Sequence, residues 1–143
     1  MKTAAQLIAE KKHKEVISIA PNRPVIDALI ILAEYKIGAL VVIDKDKMVG
    51  IFSERDYARE VVLKGKSSKV TTIEEVMTKN VLVGHGKDTF EKAMTIMTEN
   101  HIRHLPIIDS QKVIGMLSLG DVAKEMIMYQ RNLIKELESY VKT

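Results

Sequence analysis

An internal repeat constrains the fold of this chain more than any other feature of its sequence. When the sequence is shifted by 65 residues it aligns with itself, and residues 21–62 lie over residues 86–127 without a gap. The motif G-x-x-S-x-x-D occurs at 50–56 in the first copy and at 115–121 in the second. Chance similarity rarely keeps its register over such a length, so the sequence predicts two copies of one structural unit.

Each copy has a pattern that predicts the element order β-α-β-β-α. In the first copy, a short apolar stretch at 16–19 precedes apolar residues at helical spacing from Val25 to Ala33. Two β runs follow at 39–43 and 48–52, and the four-residue polar turn DKDK between them predicts a hairpin. A second helix begins after the motif serine. The second copy predicts strands at 81–83, 105–108 and 113–117 around a helical pattern that starts at Phe90.

These elements predict an α/β (α+β) fold built from the two repeats and their flanking helices. The predicted organisation is a helical lead-in at 1–13, a first repeat at 14–66, a linker with a short helix at 67–80, a second repeat at 81–128 and a C-terminal helix extension at 129–143.

The composition excludes several classes of function. The chain has 143 residues and a formal charge of +3, which is modest for a nucleic-acid-binding protein. It has no cysteine, which excludes disulfides, thiolate metal sites and cysteine nucleophiles. No apolar run approaches membrane-spanning length and the N-terminus is too polar for a signal peptide, so we expect a cytoplasmic protein without a membrane partner. Neither a P-loop nor a Ser-His-Asp order is visible, so we expect no enzymatic activity and no catalytic cofactor.

The S-x-x-D portion of each motif has two interpretations. A serine at the end of a strand can cap a helix, and an acidic residue at the third helical position completes the cap. Alternatively, the motif belongs to a ligand site, as a family resemblance described next implies: the aspartate would accept hydrogen bonds from both hydroxyls of a ribose, while the serine and the helix amides would face a phosphate. The two interpretations are compatible. Under either interpretation, the glycine three residues before each serine has no side chain, so another segment of backbone can approach the strand closely.

With these motifs the chain resembles a tandem pair of CBS domains, also called a Bateman module. The resemblance covers residues 14–128 and is strongest at 37–59, 74–78 and 102–121. It implies two repeats related by a pseudo-twofold axis, with adenosine-containing ligands bound in clefts between them. We expect AMP, ADP, ATP or NAD as the ligand of this chain in preference to S-adenosylmethionine. It also implies a sensor rather than a catalyst.

The resemblance, carried over residue by residue, assigns two nucleotide-binding clefts. Cleft one would be formed by Ser53, Arg55, Asp56, Leu82, Val83, Ile102, Arg103, His104 and Pro106. Cleft two would be formed by Ile17, Ser18, Ile37, Gly38, Ala39, Leu40, Ser118 and Asp121.

The two predicted clefts differ in charge. Cleft one has two arginines and a histidine, which suit a polyphosphate or a dinucleotide. Cleft two has Gly38 and Ala39 in place of Arg103 and His104, so we expect either a less charged ligand or one whose phosphates reach across to the other cleft. It also has Val41 where the second repeat has a proline, a departure from the common family pattern at this edge strand. If one site holds a nucleotide more tightly, we expect it to be cleft one.

Two further stretches contain histidines or lysines of the kind that bind metals or phosphates. His101 and His104 form H-x-x-H, but no acidic partner is near in sequence, so we prefer a phosphate or hydrogen-bonding role for His104 over a zinc site. The basic run KKHK at 11–14 is interpreted as a solvent-exposed turn.

The C-terminal segment predicts assembly. Residues 119–141 predict one long helix, and its half beyond the second repeat carries an apolar stripe that must be buried. A homodimer interface is the expected use of this stripe, and packing onto the chain's own module is the alternative.

The leading functional hypothesis is a nucleotide sensor that acts on a separate, unidentified target protein. The alternative is a ligand-independent dimerisation and interaction module.

Overall fold

The computed structural model describes residues 1–11 and 15–142, and its two three-stranded sheets confirm the predicted mixed α/β fold. In chain order the elements are α1 (Ala4–Glu10), β1 (Ser18–Ile19), α2 (Val25–Tyr35), β2 (Ala39–Asp44), β3 (Lys47–Ser53), α3 (Glu54–Asp56), α4 (Ile73–Val76), β4 (Gly84–His85), α5 (Phe90–Glu99), β5 (His104–Asp109), β6 (Lys112–Ser118) and α6 (Leu119–Lys142). Helix α3 continues as a π-helix over Tyr57–Val62.

The chain divides into two compact units, each with one sheet. The first-repeat unit is Glu15–Leu82, and the second-repeat unit comprises the described residues of Met1–Lys14 and Val83–Thr143. In the first-repeat unit, β1 is parallel to β2 and β2 is antiparallel to β3. Strands β4, β5 and β6 repeat this arrangement in the second-repeat unit. The predicted boundary at residues 13 and 14 and the terminal residue 143 lie outside the described residues.

Each unit has its own buried cluster of apolar side chains. Phe52 and Leu40 from the sheet pack with Val25 of α2 and Ile73 of α4 in the first-repeat unit, and all four are fully buried. The corresponding cluster of the second-repeat unit contains Phe90, Leu105 and Leu117 together with Ala4, Leu7 and Ile8 of α1. For the members on α1, α2 and α5, helical spacing in the sequence places the apolar residues on one face of each helix.

The hairpin turns are tighter than the sequence predicted. Asp44 pairs with Lys47, and Asp109 pairs with Lys112, so each turn has two residues instead of four. The turn residues have positive φ angles of 50° and 66° at Lys45 and Asp46, with nearly the same values at Ser110 and Gln111. Positive φ at both positions matches the right-handed twist of the strands. The sequence did not predict a two-residue turn because neither turn contains the glycine that usually marks one.

The first strand of the second repeat begins later than predicted. The apolar stretch at 81–83 is not a strand, and β4 consists of Gly84 and His85. A Cβ atom at Gly84 would lie 2.9 Å from Ile107 Cδ1 and 3.0 Å from Leu105 Cδ2, so a larger residue there would displace the ends of these side chains. The strand therefore forms where a buried glycine packs against the side chains of β5, one residue after the apolar stretch.

A short helix from outside the β-α-β-β-α pattern completes each unit. Helix α4 belongs to the first-repeat unit, whereas α1, which precedes the first repeat in sequence, belongs to the second-repeat unit. Both helices begin with a capping box, formed by Thr3 and Gln6 in α1 and by Thr72 and Glu75 in α4. Thr3 bridges to Thr89 and Thr72 bridges to Pro24, two positions that correspond in the 65-residue repeat. We call residues 3–11 and 72–80 the lead-in segments.

The predicted C-terminal helix is confirmed as α6, which has 24 residues. Its first half packs in the second-repeat unit, where Val122 is buried and the ring of Tyr129 meets that of Phe90 edge to face at 5.9 Å. Leu133 and Leu137 in the second half are 44% and 56% exposed, and Tyr140 is 80% exposed. The alternative in which the tail packs onto its own module is therefore not the arrangement observed.

Candidate functional site: the two Ser-x-x-Asp motifs

The motif of the first repeat, Ser53–Asp56, forms a helix cap that closes on both sides. Ser53 is the last residue of β3 and has extended backbone angles. Its hydroxyl accepts a hydrogen bond from the Asp56 amide at 3.2 Å. Asp56 Oδ2 in turn accepts from the Ser53 amide at 2.9 Å and from the Ser53 hydroxyl at 3.0 Å. The capping interpretation is confirmed, with aspartate in the place where glutamate is more usual.

The lead-in segment supplies another donor to Asp56. The hydroxyl of Thr78 donates to Asp56 Oδ1 at 3.0 Å. Thr78 is held there by two backbone hydrogen bonds with Ile51, of 2.9 and 3.0 Å. This approach depends on Gly50, because a Cβ atom at that position would lie 2.8 Å from the Thr78 carbonyl oxygen and 2.6 Å from Met77 Sδ. The expectation that Gly50 admits another backbone is confirmed.

The motif of the second repeat, Ser118–Asp121, has the same cap. The Ser118 hydroxyl accepts from the Asp121 amide at 3.0 Å, and Asp121 Oδ2 accepts from the Ser118 amide at 2.8 Å. Gly115 again makes room for a lead-in segment, but for a side chain instead of a backbone. A Cβ atom there would lie 2.8 Å from Ile8 Cδ1.

The donor that the lead-in segment brings to Asp121 is a cation. Lys11 Nζ lies 2.8 Å from Asp121 Oδ2 and donates a second hydrogen bond of 2.8 Å to the carbonyl oxygen of Met116. The side chains of Lys11 and Asp121 are only 31% and 32% exposed. The interpretation of KKHK as a solvent-exposed turn is therefore wrong for Lys11, because a partly buried carboxylate attracts its ammonium group. The other three residues of that run lie outside the described residues.

The environment of Asp121 keeps its carboxylate ionised. Burial raises the pKa of this group, but the hydrogen bond from Lys11, the Ser118 amide and the positive charge of Lys11 together lower the pKa below its ordinary value of 3.8. Asp121 is accordingly an anion at neutral pH, and Lys11 is its counter-ion.

Two of the first three helix amides in each motif donate to protein groups. The amide of Glu54 donates to Gly38 O at 3.0 Å, and the amide of Leu119 donates to Arg103 O at 2.8 Å. The amides of Asp56 and Asp121 donate to the cap serines. These four amides are therefore not available to a phosphate unless the caps open.

Each unit brings together residues that the sequence assigned to different clefts. Ala39 lies opposite Ser53 in the β2–β3 ladder, and His104 lies opposite Ser118 in the β5–β6 ladder. The side chain of Leu40 is fully buried in the core of the first-repeat unit, as Leu105 is in the second, so Leu40 could meet a ligand only through its backbone. The memberships of cleft one and cleft two stay predictions.

Sequence reasoning missed Thr78 and Lys11. The signal that could have identified their segments, although not the two residues themselves, is a second alignment, in which Thr3 lies 69 residues before Thr72. In that register Ile8 corresponds to Met77, the two residues that lie over Gly115 and Gly50. The T-x-x-Q and T-x-x-E patterns mark the start of each segment.

Within residues 1–11 and 15–142, no cluster of three or more histidine, aspartate or glutamate side chains could hold a metal ion. None of the helices in the described part of the chain is both long enough and apolar enough to cross a membrane.

Comparison with known proteins gives consistent matches over both repeats. The model of the CBS domain family matches residues 5–63 and 73–128. The CBS domain-containing protein CBSX3, mitochondrial, of Arabidopsis thaliana is 37% identical over 122 residues, which is 82% of this chain and 59% of that protein. This chain therefore spans less than two thirds of that relative.

Two solved structures extend the comparison to the fold. A protein with CBS domains from Burkholderia ambifaria MC40-6 is 42% identical and superposes with a TM-score of 0.84, covering 89% of this chain and 95% of that one. The CBS domain pair of protein MJ0100 is 25% identical, with a TM-score of 0.76 over 87% of this chain and 99% of that one. It was solved in complex with 5-methylthioadenosine and S-adenosyl-L-methionine.

Proposed function

Because this chain belongs to the CBS domain family and carries two copies of the domain, we propose that it is a regulatory module that binds an adenosine nucleotide. The ligand would be AMP, ADP, ATP or NAD, held in a cleft that joins the two repeats. The bound state would be transmitted to a separate target protein, so the role is binding rather than catalysis. The predicted cytoplasmic location is not required for this role and stays a prediction.

The observation that carries the proposal is the set of donors around Asp56. This half-buried carboxylate accepts hydrogen bonds from two hydroxyl groups, those of Ser53 and Thr78, one on each oxygen. A ribose offers two hydroxyls of the same kind. Exchanging one neutral hydroxyl donor for another leaves the number and type of hydrogen bonds unchanged, so ribose binding at Asp56 would have a small enthalpic cost.

The phosphate end of the ligand would need cations. Arg55 lies two residues after Ser53, in the first turn of α3, and the family resemblance adds Arg103 and His104 of the other repeat. Guanidinium groups recognise phosphate oxygens through two parallel hydrogen bonds. These residues favour a nucleotide over an uncharged nucleoside. The adenosine ligands held by the MJ0100 domain pair support the ligand class.

Thermal unfolding with and without ligand tests the proposal. AMP, ATP or NAD at millimolar concentration should raise the Tm of the chain. Asp56→Asn should abolish that shift, since a carboxylate that accepts from two hydroxyls contributes about thirtyfold to affinity. Asp46→Asn, in the exposed hairpin turn, is the matched control and should keep the shift. Absence of any shift with every adenosine ligand would leave the interaction-module alternative.

The exposed half of α6 supports a second element of the proposal, a homodimer. Apolar side chains of this size seldom remain in water on a helix without a partner. Exchanging Leu133 and Leu137 for lysine should therefore convert a dimer into a monomer in size-exclusion chromatography with light scattering. Glu136→Lys, on the same helix, controls for the added charge. A wild-type chain that is monomeric at every concentration would contradict the dimer.

A further inference from the structure

The two motif aspartates are not equivalent, and the lead-in segments cause the difference. Thr78 presents an uncharged hydroxyl to Asp56, whereas Lys11 presents an ammonium group to Asp121. We propose that Lys11 closes the site at Asp121 to a ribose, so that the chain binds one nucleotide, at Asp56. Replacing Lys11 with a neutral residue would open a second site. This inference rests on the proposed function and adds which carboxylate is occupied.

The backbone of Lys11 is held by a buried helix. Ala4, Leu7 and Ile8 of α1 are buried in the core of the second-repeat unit. The start of the helix is anchored by backbone hydrogen bonds from Ala4 to Asp88 and from Ala5 to Gly86, of 2.7 and 2.9 Å. Lys11 is the C-terminal cap of this helix, and its amide donates to the carbonyl oxygen of Ile8 at 3.2 Å.

The Lys11 ammonium group has two acceptors in place. It reaches Asp121 Oδ2 and the Met116 carbonyl oxygen, both at 2.8 Å. A lysine on an exposed surface loses rotamer entropy when it forms an ion pair, which removes most of the gain. Lys11 loses less, because the packed helix already fixes its backbone and two acceptors select one position for the ammonium group.

A ribose that reaches Asp121 would have to displace this ammonium group. The exchange replaces a charge-assisted hydrogen bond by a neutral one. The displaced ammonium group loses Asp121, and the Met116 carbonyl oxygen loses the ammonium group. Hydrogen bonds to charged groups are the stronger class, and the loss of one corresponds to about tenfold or more in affinity. At Asp56 the displaced group would be only the Thr78 hydroxyl.

Isothermal titration of the full chain with AMP tests the inference. Wild type should bind one AMP per chain, and Asp56→Asn should bind none. Lys11→Met in the Asp56→Asn background should restore one site, since removing the ammonium group raises the affinity at Asp121 by at least about tenfold. A further Asp121→Asn change should remove that site again. Lys11→Arg retains the cation and should behave as wild type.

The outcomes separate the two proposals. No AMP, ATP or NAD binding by wild type would overturn the proposed function. Wild type that binds two ligands, or one ligand that Asp56→Asn leaves in place, would overturn the inference about Lys11. If AMP binding at Asp121 is weaker in Lys11→Met than in wild type, Lys11 binds phosphate and the inference is also overturned. Lys11→Gln keeps a donor for the Met116 carbonyl oxygen and replaces Lys11→Met if circular dichroism shows that the methionine variant is unfolded.

Discussion

The motif at Ser53–Asp56 and the motif at Ser118–Asp121 have the same cap but different partners. In both, the serine hydroxyl accepts from the aspartate amide and the carboxylate accepts from the serine amide. The next donor comes from a different segment of the chain, and it is Thr78 in one unit and Lys11 in the other. Duplication has thus preserved the local geometry of the motif, while the lead-in segment determines the charge beside each carboxylate.

Substitutions of the two motif glycines should give the largest change in the free energy of unfolding among the tests of this comparison. Gly50→Ala would place its Cβ 2.8 Å from a backbone oxygen, which cannot move without breaking the pairing of Thr78 with Ile51. Gly115→Ala would meet only side-chain atoms of Ile8. We therefore expect a loss of about 3 kcal/mol in the free energy of unfolding for Gly50→Ala and about 1 kcal/mol for Gly115→Ala.

Urea denaturation of the two variants measures this difference. Gly65→Ala serves as a control for the glycine-to-alanine change, since a Cβ atom there meets nothing within 4 Å, although its φ of 64° adds a cost of about 1 kcal/mol. Equal losses for Gly50→Ala and Gly115→Ala would show that the backbone and side-chain approaches are equally adaptable.

The ion pair at Asp121 predicts a dependence of stability on pH. Because the folded pKa of Asp121 is lowered, its contribution is present above the ordinary value of 3.8 and is lost as the pH falls through the folded pKa. Lys11→Met should therefore be less stable than wild type by about 1 kcal/mol at neutral pH. The gap should close at a pH below about 3.8.

Acid unfolding at a fixed temperature, followed by circular dichroism, shows whether the difference in stability between wild type and Lys11→Met disappears at low pH. Lys87→Met, at an exposed position in the same unit, should follow wild type at every pH. A gap of constant size from neutral to acid pH would mean that Lys11 acts through packing of its alkyl chain and not through its charge.

The last test concerns Thr78, the neutral partner in the first repeat. Thr78→Val removes the hydroxyl that donates to Asp56 Oδ1 and retains the shape of the side chain. The expected loss of unfolding free energy is about 1 kcal/mol, the net value of one hydrogen bond.

Chemical denaturation of Thr78→Val beside Thr95→Val completes the test. Thr95 donates its hydroxyl to a helix carbonyl on the exposed face of α5, so its loss should be within about 0.5 kcal/mol of zero. If Thr78→Val costs no more than Thr95→Val, the hydroxyl does not hold Asp56 and the comparison with Lys11 weakens.

Local patterns in the sequence predicted most of the secondary structure but not all of the turns. Apolar spacing identified α2 and α5, and the two β runs identified each hairpin, because period and burial are coupled in helices and strands. The two-residue turns were missed because Lys45 and Asp46 carry positive φ without a glycine. The strand at Gly84 was missed because apolar composition was taken as the signal.

The sequence by itself determined that this protein has two equivalent repeats, and it identified the cap motif in each. Those features depend on neighbouring residues, whose spacing is visible in the sequence. Only the tertiary structure decided that α1 packs with the second repeat and that Lys11 meets Asp121, 110 residues away. Such a contact depends on how buried apolar faces combine, since a lysine that is exposed in one packing is a counter-ion in another.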